Sequence, residues 1–417
     1  MKIPRWTVAI AAALAAVPCV PAASAAEAPR PDCPRLDADL SWYGDNRRAL
    51  QEFIDAYGSC AGTDRRPLAL FDWDNTVVKN DVGDATTFWL LRNDKVRQPA
   101  GGDWSTTSRY LTDEAAAALR SACGDAVSPG KPLPTGSDTR CADEILAVYS
   151  DGTTSDGAAA FSGYNHRRME PSYAWAAQLM AGYTPAEIRS FARRARAENL
   201  AAPVGARQRV GTRLVTGWVR YYDQQRDLVT TLVRAGFDVR IISASATPVV
   251  QVWAKDVGLD ARHVTGVTNK IRAGRLTSRL TSCGGADDDS VIPYIDGKRC
   301  FVNQDLLGVS GPAAFSRQPA GKRQVFGAGD SDTDVTFTGD ATGLRLVINR
   351  NKPELMCRSY FNSDGKWLIN PMFIGPRPPM ASPYPCSTTA YTTDTGAGAP
   401  VVDADGSVIP DQADTVH

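Results

Sequence analysis

An α/β fold on a parallel sheet, with a mainly helical segment inserted after the first strand, is what this 417-residue chain predicts. Three observations lead to it. Short apolar runs recur at Leu68–Phe71, Val239–Ile242, Gln324–Ala328 and Leu344–Ile348, the pattern of strands buried on both faces. Helical patterns alternate with them, which places such strands parallel in one sheet. Between Val77 and Phe237 the composition turns instead to helices joined by Gly, Ser and Pro loops.

In chain order, Lys2 and Arg5 precede an apolar run that ends in small residues at Ala25 and Ala26, the three-part layout of a secretory signal peptide over residues 1–26. A lipoprotein anchor on Cys19 is disfavoured because Pro18 stands where a small residue is wanted. Residues 27–76 carry an N-terminal helix, with Trp42, Ala49, Leu50, Phe53, Ile54 and Tyr57 at helical spacing, and then the first strand. Residues 77–236 form the helical insert. Within it Thr184-Pro185-Ala186-Glu187 is a full helix start, and a later helix ends at Gly236. Residues 237–386 complete the α/β core. Residues 387–417, with five Asp, no Lys or Arg and many Gly, Ala and Thr, read as a disordered acidic tail.

The 46 Lys and Arg balance 46 Asp and Glu, so no basic surplus points to a nucleic acid. Beyond the leader no stretch reaches the ~20 apolar residues of a membrane span, and no feature points to a protein partner. The chain is expected to be secreted, extracellular or periplasmic. Removing the leader takes away Cys19 and leaves eight cysteines as four neighbouring pairs, for which local disulfides are the expectation in an oxidising compartment. Cys60 and Arg66 have the spacing of a thiolate phosphatase loop, but no Ser or Thr follows the Arg. His166 and His263 lack metal-ligand spacing, Asp287-Asp288-Asp289 reads as a solvated loop, and no Gly-x4-Gly-Lys loop for a nucleotide triphosphate occurs.

In a parallel sheet, ligands gather beyond the carboxyl ends of the strands. Three sets of residues follow strands here: Asp72-Trp-Asp74-Asn75-Thr76, Ser243-Ala-Ser245, and Gly329-Asp330-Ser-Asp332-Thr-Asp334. Asp72 and Asp74, two apart on extended chain, face one way. With Asp330 from another strand end they make an all-oxygen donor set that suits a hard cation, Mg2+ above all.

These residues resemble the haloacid dehalogenase superfamily in its phosphoserine-phosphatase-like branch. Asp72, Asp74 and Thr76 match its first motif, Ser243 its second, and Gly329, Asp330 and Asp334 its fourth. Within that branch the Asp-x-Asp-Asn-Thr form and the secretory start are similar to those of exported phosphorylcholine phosphatases. The resemblance implies a Rossmann-like sheet with an inserted cap and a Mg2+-dependent phosphomonoesterase acting through an aspartyl phosphate. Asp72 would be the nucleophile, Asp74 the acid and base, and Ser243 a ligand of the phosphate with Asn75 and Thr76. Asp72, Asp330, Asp334 and the carbonyl of Asp74 would attend the metal. The family's motif lysine has two candidates. Lys322 precedes the strand Gln324–Ala328 and so lies at its amino end, whereas Lys298 starts a helix on the carboxyl side of the sheet. Lys298 is the choice.

The expected substrate is a small phosphomonoester, with phosphorylcholine first, because the insert holds Trp89, Trp104, Tyr110, Tyr164, Tyr173, Trp175, Tyr183, Trp218, Tyr221 and Tyr222, some of which could enclose a quaternary ammonium group. A non-catalytic binder of phosphorylated or choline-bearing ligands and a phosphomutase are the alternatives. A dehalogenase is disfavoured, since it needs no acid at the place of Asp74.

Overall fold

The computed structural model describes Met1, Lys2, Pro4 and residues 33–62, 66–124 and 127–417; apart from those first three positions, the expected signal peptide and Cys19 lie outside the described residues. From Asp32 to His417 the chain forms one compact unit. Its centre is a six-stranded parallel sheet: β1 (Leu68–Phe71), β2 (Asp238–Ala246), β3 (Val264–Val267), β4 (Phe326–Gly329), β5 (Leu344–Asn349) and β6 (Trp367–Pro371), in the order β6-β5-β4-β1-β2-β3. β1, β2, β4 and β5 lie where the sequence puts them. β3 and β6 escape the sequence reading because Val-Thr-Gly-Val is short and diluted by Gly, while Pro371 ends a strand at the sheet's edge, the one place where proline is tolerated.

β1 lies between β4 and β2, with Phe71 opposite Ala328 on one side and Ile241 on the other. The chain direction of strand addition reverses here, so the segments after β1, β2 and β4 emerge side by side at the carboxyl edge. Leu50, Phe53 and Ile54 of the helix Asn46–Tyr57 are buried against the sheet. The Phe53 ring lies 5.6 Å from both Phe237 and Phe326, and Phe71 lies 5.2 Å from Phe326, so one aromatic cluster ties this helix to three strands.

The insert between β1 and β2 is mainly helical: Val82–Arg92, Asp113–Cys123, Thr139–Asp151, Pro171–Gln178 and Pro185–Ala201. The helix Pro185–Ala201 begins with the expected capping box, Glu187 N–H donating to the Thr184 hydroxyl and Thr184 N–H to the Glu187 carboxylate, and the later helix, Asp223–Arg234, ends just before Gly236. The two ends of the insert are pinned together, because Val78–Lys79 pairs antiparallel with Arg220–Tyr221. Arg207–Val210 and Arg213–Thr216 add a hairpin that helical periodicity did not signal.

Two expectations are corrected. The stretch 237–386, read as wholly core, contains an antiparallel hairpin, Asn269–Arg272 with Arg275–Leu280, that joins the insert: Gly182 N–H donates to the Leu276 carbonyl and Leu276 N–H to the Tyr183 carbonyl, both at 2.8 Å. Residues 387–417 are packed instead of disordered. Tyr391–Thr392 pairs with Gly398–Ala399, Val401 and Ile409 are buried with Tyr384 and Leu355, and Asn349 Nδ2 donates to the Val416 carbonyl. Two of the acidic residues that suggested solvation serve as hydrogen-bond acceptors: Asp411 takes the Ser387 N–H and hydroxyl from the far end of the segment, and Asp405 takes those of Ser407 in a turn.

The cysteines join as sequence neighbours, Cys33–Cys60, Cys123–Cys141, Cys283–Cys300 and Cys357–Cys386. Cys60 is therefore bridged and cannot serve as a thiolate. Among the described residues no helix is long and apolar enough to cross a membrane.

Burying Val401 and Ile409 contributes about 1.5–3 kcal/mol each. Truncation after Ser387 should lower Tm in scanning calorimetry by roughly 5 °C or more; an unchanged Tm would mean that the tail is not part of the fold.

Candidate active site

The turn after β1 gathers the first acids. Asp72 N–H donates to the Ala328 carbonyl at 2.9 Å, which extends the ladder to β4 by one rung and fixes where its side chain starts. Asn75 takes a left-handed backbone, φ 60°, a conformation that Asn tolerates better than most residues, and its Oδ1 accepts the Asn80 N–H. The Thr76 hydroxyl lies 3.1 Å from Asp72 Oδ2 and 2.9 Å from Asp330 Oδ1. Thr76, expected to contact substrate, is fully buried and bridges two carboxylates instead.

Lys298 is the centre of the site. Its Nζ donates to Asp72 Oδ1 at 2.6 Å and to Asp334 Oδ1 at 2.5 Å, with no part of the side chain exposed. Burial opposes its charge, but the two carboxylates outweigh burial and raise its pKa above the ordinary lysine value. The helix Asp296–Phe301 that carries it begins after Ile295 at φ 43°, an outlier for a β-branched residue. Gly297 is required there because a Cβ would stand 1.9 Å from the Ile292 carbonyl. Lys322 sits exposed in a short turn before β4.

At the end of β4, Asp334 Oδ2 accepts the N–H groups of Asp330 and Ser331, and a Cβ on Gly329 would lie 2.5 Å from that of Asp334. Asp330 Oδ2 meets Arg350 Nη1 at 2.5 Å. Asp72, Asp330 and Asp334 bring ligand oxygens within 4.8 Å of one another, all buried. Three carboxylates against Lys298 and Arg350 leave one negative charge on an all-oxygen donor set, which fits a hard divalent cation. Burial first, and then Asp334, pushes Asp72 well above the usual carboxylate range, while Lys298 pulls it back.

Asp74 is held apart from this cluster. Its Oδ1 accepts the Val82 N–H and its Oδ2 the Ser245 hydroxyl, both at 2.7 Å. Burial and then Asp81 raise its pKa well above the ordinary value, which favours the acid form. Ser243, the expected phosphate ligand, is fully buried and accepts the Ser245 N–H at 3.1 Å. Ser245, two residues on along the same strand end, is the serine that lines the cavity.

That cavity, about 390 Å³, opens between the strand ends and the insert. Asp72, Asp74, Asn75 and Asp330 form its floor; Asp81, Asp84, Tyr149, Tyr173 and Trp218 stand among its walls. Of the aromatics singled out from sequence, Tyr173 and Trp218 reach it, whereas Trp104 and Trp175 are packed against each other in the core. Tyr149, Asp81, Asp84, Ser245, Lys79 and Arg350 were missed. Asp81 reads as an ordinary helix cap, and it does accept the Asp84 N–H at 2.8 Å; only Ser245 carried a signal, its repeat of Ser243 at the strand end. Tyr149 donates its hydroxyl to Asp84 Oδ1 at 2.6 Å. Burial, and then Asp81, raises Asp84 to about 7.

No protein-family model matches the chain. Over 200 residues it is 29% identical to the phosphorylcholine phosphatase of Pseudomonas aeruginosa; the match covers 43% of this chain and about half, 55%, of that protein's length. Among solved structures it is similar to a conserved protein of unknown function from Anaerococcus prevotii, with TM-score 0.58 and 17% identity over 80% of this chain and 93% of that one, which supports the fold. A substrate-bound phosphoserine phosphatase aligns with TM-score 0.32 and 12% identity over 69% of this chain and 87% of its own.

Asp84 has a folded pKa above its unfolded value of ~3.9. Its neutral form is therefore favoured in the fold, and the cost of the buried carboxyl grows as pH rises from the unfolded value to about 7. Asp84→Asn should raise Tm of the ligand-free protein more at pH 8 than at pH 5; a gain independent of pH would contradict the assignment.

Proposed function

We propose that the protein is an exported phosphomonoesterase that uses Mg2+ and an aspartyl-phosphate intermediate on a small phosphomonoester, phosphorylcholine first. The observation that carries the reading is Asp72 at a strand end, bound by buried Lys298, with Asp74 two residues on and held separately. The family resemblance and the Pseudomonas relative support the activity. Four disulfides and the leader-like start support export.

Mg2+ would be held by Asp72, Asp330 and the Asp74 carbonyl, with Asp334 in support, and supplies positive charge that offsets the phosphate oxygens. The chain's own groups do the rest. Lys298 offsets part of the burial cost of an ionised Asp72 and the bound cation would offset the rest, so that a carboxylate oxygen bonds to phosphorus as the bond from phosphorus to the alcohol oxygen breaks. Asp74, favoured as the acid, gives that leaving oxygen its proton. In the second half Asp74 takes a proton from water, the water oxygen bonds to phosphorus, and the bond to Asp72 breaks to release inorganic phosphate. Val82 N–H and Ser245 fix the Asp74 carboxyl in both halves. Ser243 and Asn75 would contact the phosphate oxygens. For the alcohol part, Tyr149, Tyr173 and Trp218 offer aromatic faces and Asp81 and Asp84 negative charge, the combination that suits a quaternary ammonium group.

Asp72→Asn should lower turnover of p-nitrophenyl phosphate by at least about a thousandfold with the fold unchanged by circular dichroism, and EDTA should silence the wild type until Mg2+ is restored. Near-wild-type turnover in either case would remove the covalent, metal-assisted reading, whereas no turnover by the wild type with Mg2+ would leave the ligand-binding alternative.

Among phosphorylcholine, phosphorylethanolamine, phosphoserine and glycerol phosphate, kcat/KM should be highest for phosphorylcholine, with free choline a competitive inhibitor. Because a cation binds best to ionised Asp84, KM for phosphorylcholine should fall as pH rises through about 7, and Asp84→Asn should flatten that dependence. A better rate with glycerol phosphate, or no inhibition by choline, would overturn the cationic-substrate reading.

A further inference from the structure

We propose that Lys79, Arg350 and Arg377 form a second oxyanion subsite at the rim of the cavity, apart from the point where Asp72 would meet phosphorus, and that it takes inorganic phosphate or an anionic group carried by a substrate. The three side chains line the cavity from three separate segments. Lys79 ends the short strand that pairs with Arg220–Tyr221 at the base of the insert. Arg350 directly follows β5, and Arg377 lies beyond β6, on an exposed stretch.

Their donors are largely unspent. A guanidinium has five N–H groups, and among the described residues Arg350 uses one side-chain hydrogen bond, to Asp330. Lys79 Nζ has only the Gly375 carbonyl at 3.4 Å and the Met372 sulfur at 3.7 Å, and among the described residues neither Lys79 nor Arg377 forms an ion pair. The contact with Gly375, two residues before Arg377, brings the last segment onto the lysine. Asp330 pairs with Arg350, and Asp81 and Asp84 lie within electrostatic range of that arginine, but among the described residues no carboxylate forms an ion pair with Lys79 or Arg377. Like charges gathered in a partly buried place are costly unless an anion joins them; consistent with this, burial and then Arg350 and Arg377 lower the Lys79 amine to about 8. Planar guanidinium forks beside an ammonium are matched by the oxygens of phosphate or carboxylate.

Asp81 and Asp84 line the same cavity and lie within electrostatic range of Arg350, so Lys79 and Arg377, which form no ion pair among the described residues, are the cations left to hold an anion. The proposal goes beyond the phosphatase reading and does not need turnover. Its test is calorimetric titration of the full chain with inorganic phosphate in the presence of EDTA, where the carboxylates around Asp72 repel an anion. The wild type should still bind phosphate, and Lys79→Met with Arg377→Gln should weaken it by about tenfold or more. Arg377→Gln alone, at an exposed position that does not endanger folding, should weaken it several-fold. Absence of phosphate binding by the wild type, or undiminished binding by the variants, would overturn the proposal, whether or not the protein proves to be a phosphatase. Displacement of phosphate by malonate would show that the subsite accepts carboxylates borne by substrates; failure of malonate to compete would restrict it to phosphate.

Discussion

A fully buried ammonium between two carboxylates is the interaction on which the site depends. Lys298 reaches Asp72 from β1 and Asp334 from β4 at once, so a single charge fixes the spacing of two strand ends. Removing one member of a buried ion cluster leaves an unpaired charge that costs about 3–5 kcal/mol. The surroundings are built to hold it: a turn with Ile295 in a sparsely populated conformation, Gly297 against a carbonyl, and Gly329 against Asp334. Strain of this kind persists only where the rest of the structure over-determines it.

The same cluster separates two carboxylates that differ by two positions in sequence. Asp72 is tied to a cation, whereas Asp74 is tied to an amide, a hydroxyl and the nearby negative Asp81. Burial raises both, but only Asp72 has Lys298 to favour its charged form. In the proposed two-step transfer, that lysine would favour the anion at Asp72, while Asp74, which has no cation beside it, would carry the proton.

The legible part of the site is the part that backbone topology alone determines. Asp72, Asp74, Asp330 and Asp334 follow strands, and strand ends in a parallel sheet converge whatever the side chains around them. Lys298 was chosen over Lys322 by the same rule, from the sheet edge that each can reach. What the sequence did not disclose depends on tertiary packing. Ser245 and Ser243 are equivalent in sequence until the strand end curls and Asp74 selects one hydroxyl. Tyr149 and Arg350 reach the cavity because of how helices and loops pack on it, and no local pattern records that. The acidic tail escapes for a different reason: its composition is that of a solvated chain, but Asp405 closes a turn and Asp411 bonds back to Ser387, and Val401 and Ile409 are buried. Composition averages cannot distinguish an aspartate in water from one that caps a turn.

The thirteen positions from Asp72 to Asp84 supply much of the cavity's lining: two acids at the strand end, then Lys79, Asp81 and Asp84. The change of sign within three residues is possible because Lys79 ends a strand while Asp81 caps a helix, and a helix start favours negative charge whereas a strand end carries no such preference. The neighbouring opposite charges therefore follow from the change of secondary structure at Asn80, where φ is 70°. Of the other contributors, Arg350 from the core lies within electrostatic range of Lys79 and of Asp81 and Asp84 alike, and Tyr149 from the insert donates to Asp84. The cavity therefore offers a ligand both signs of charge, a property set by the junction between core and insert and not by the carboxylates at the strand ends.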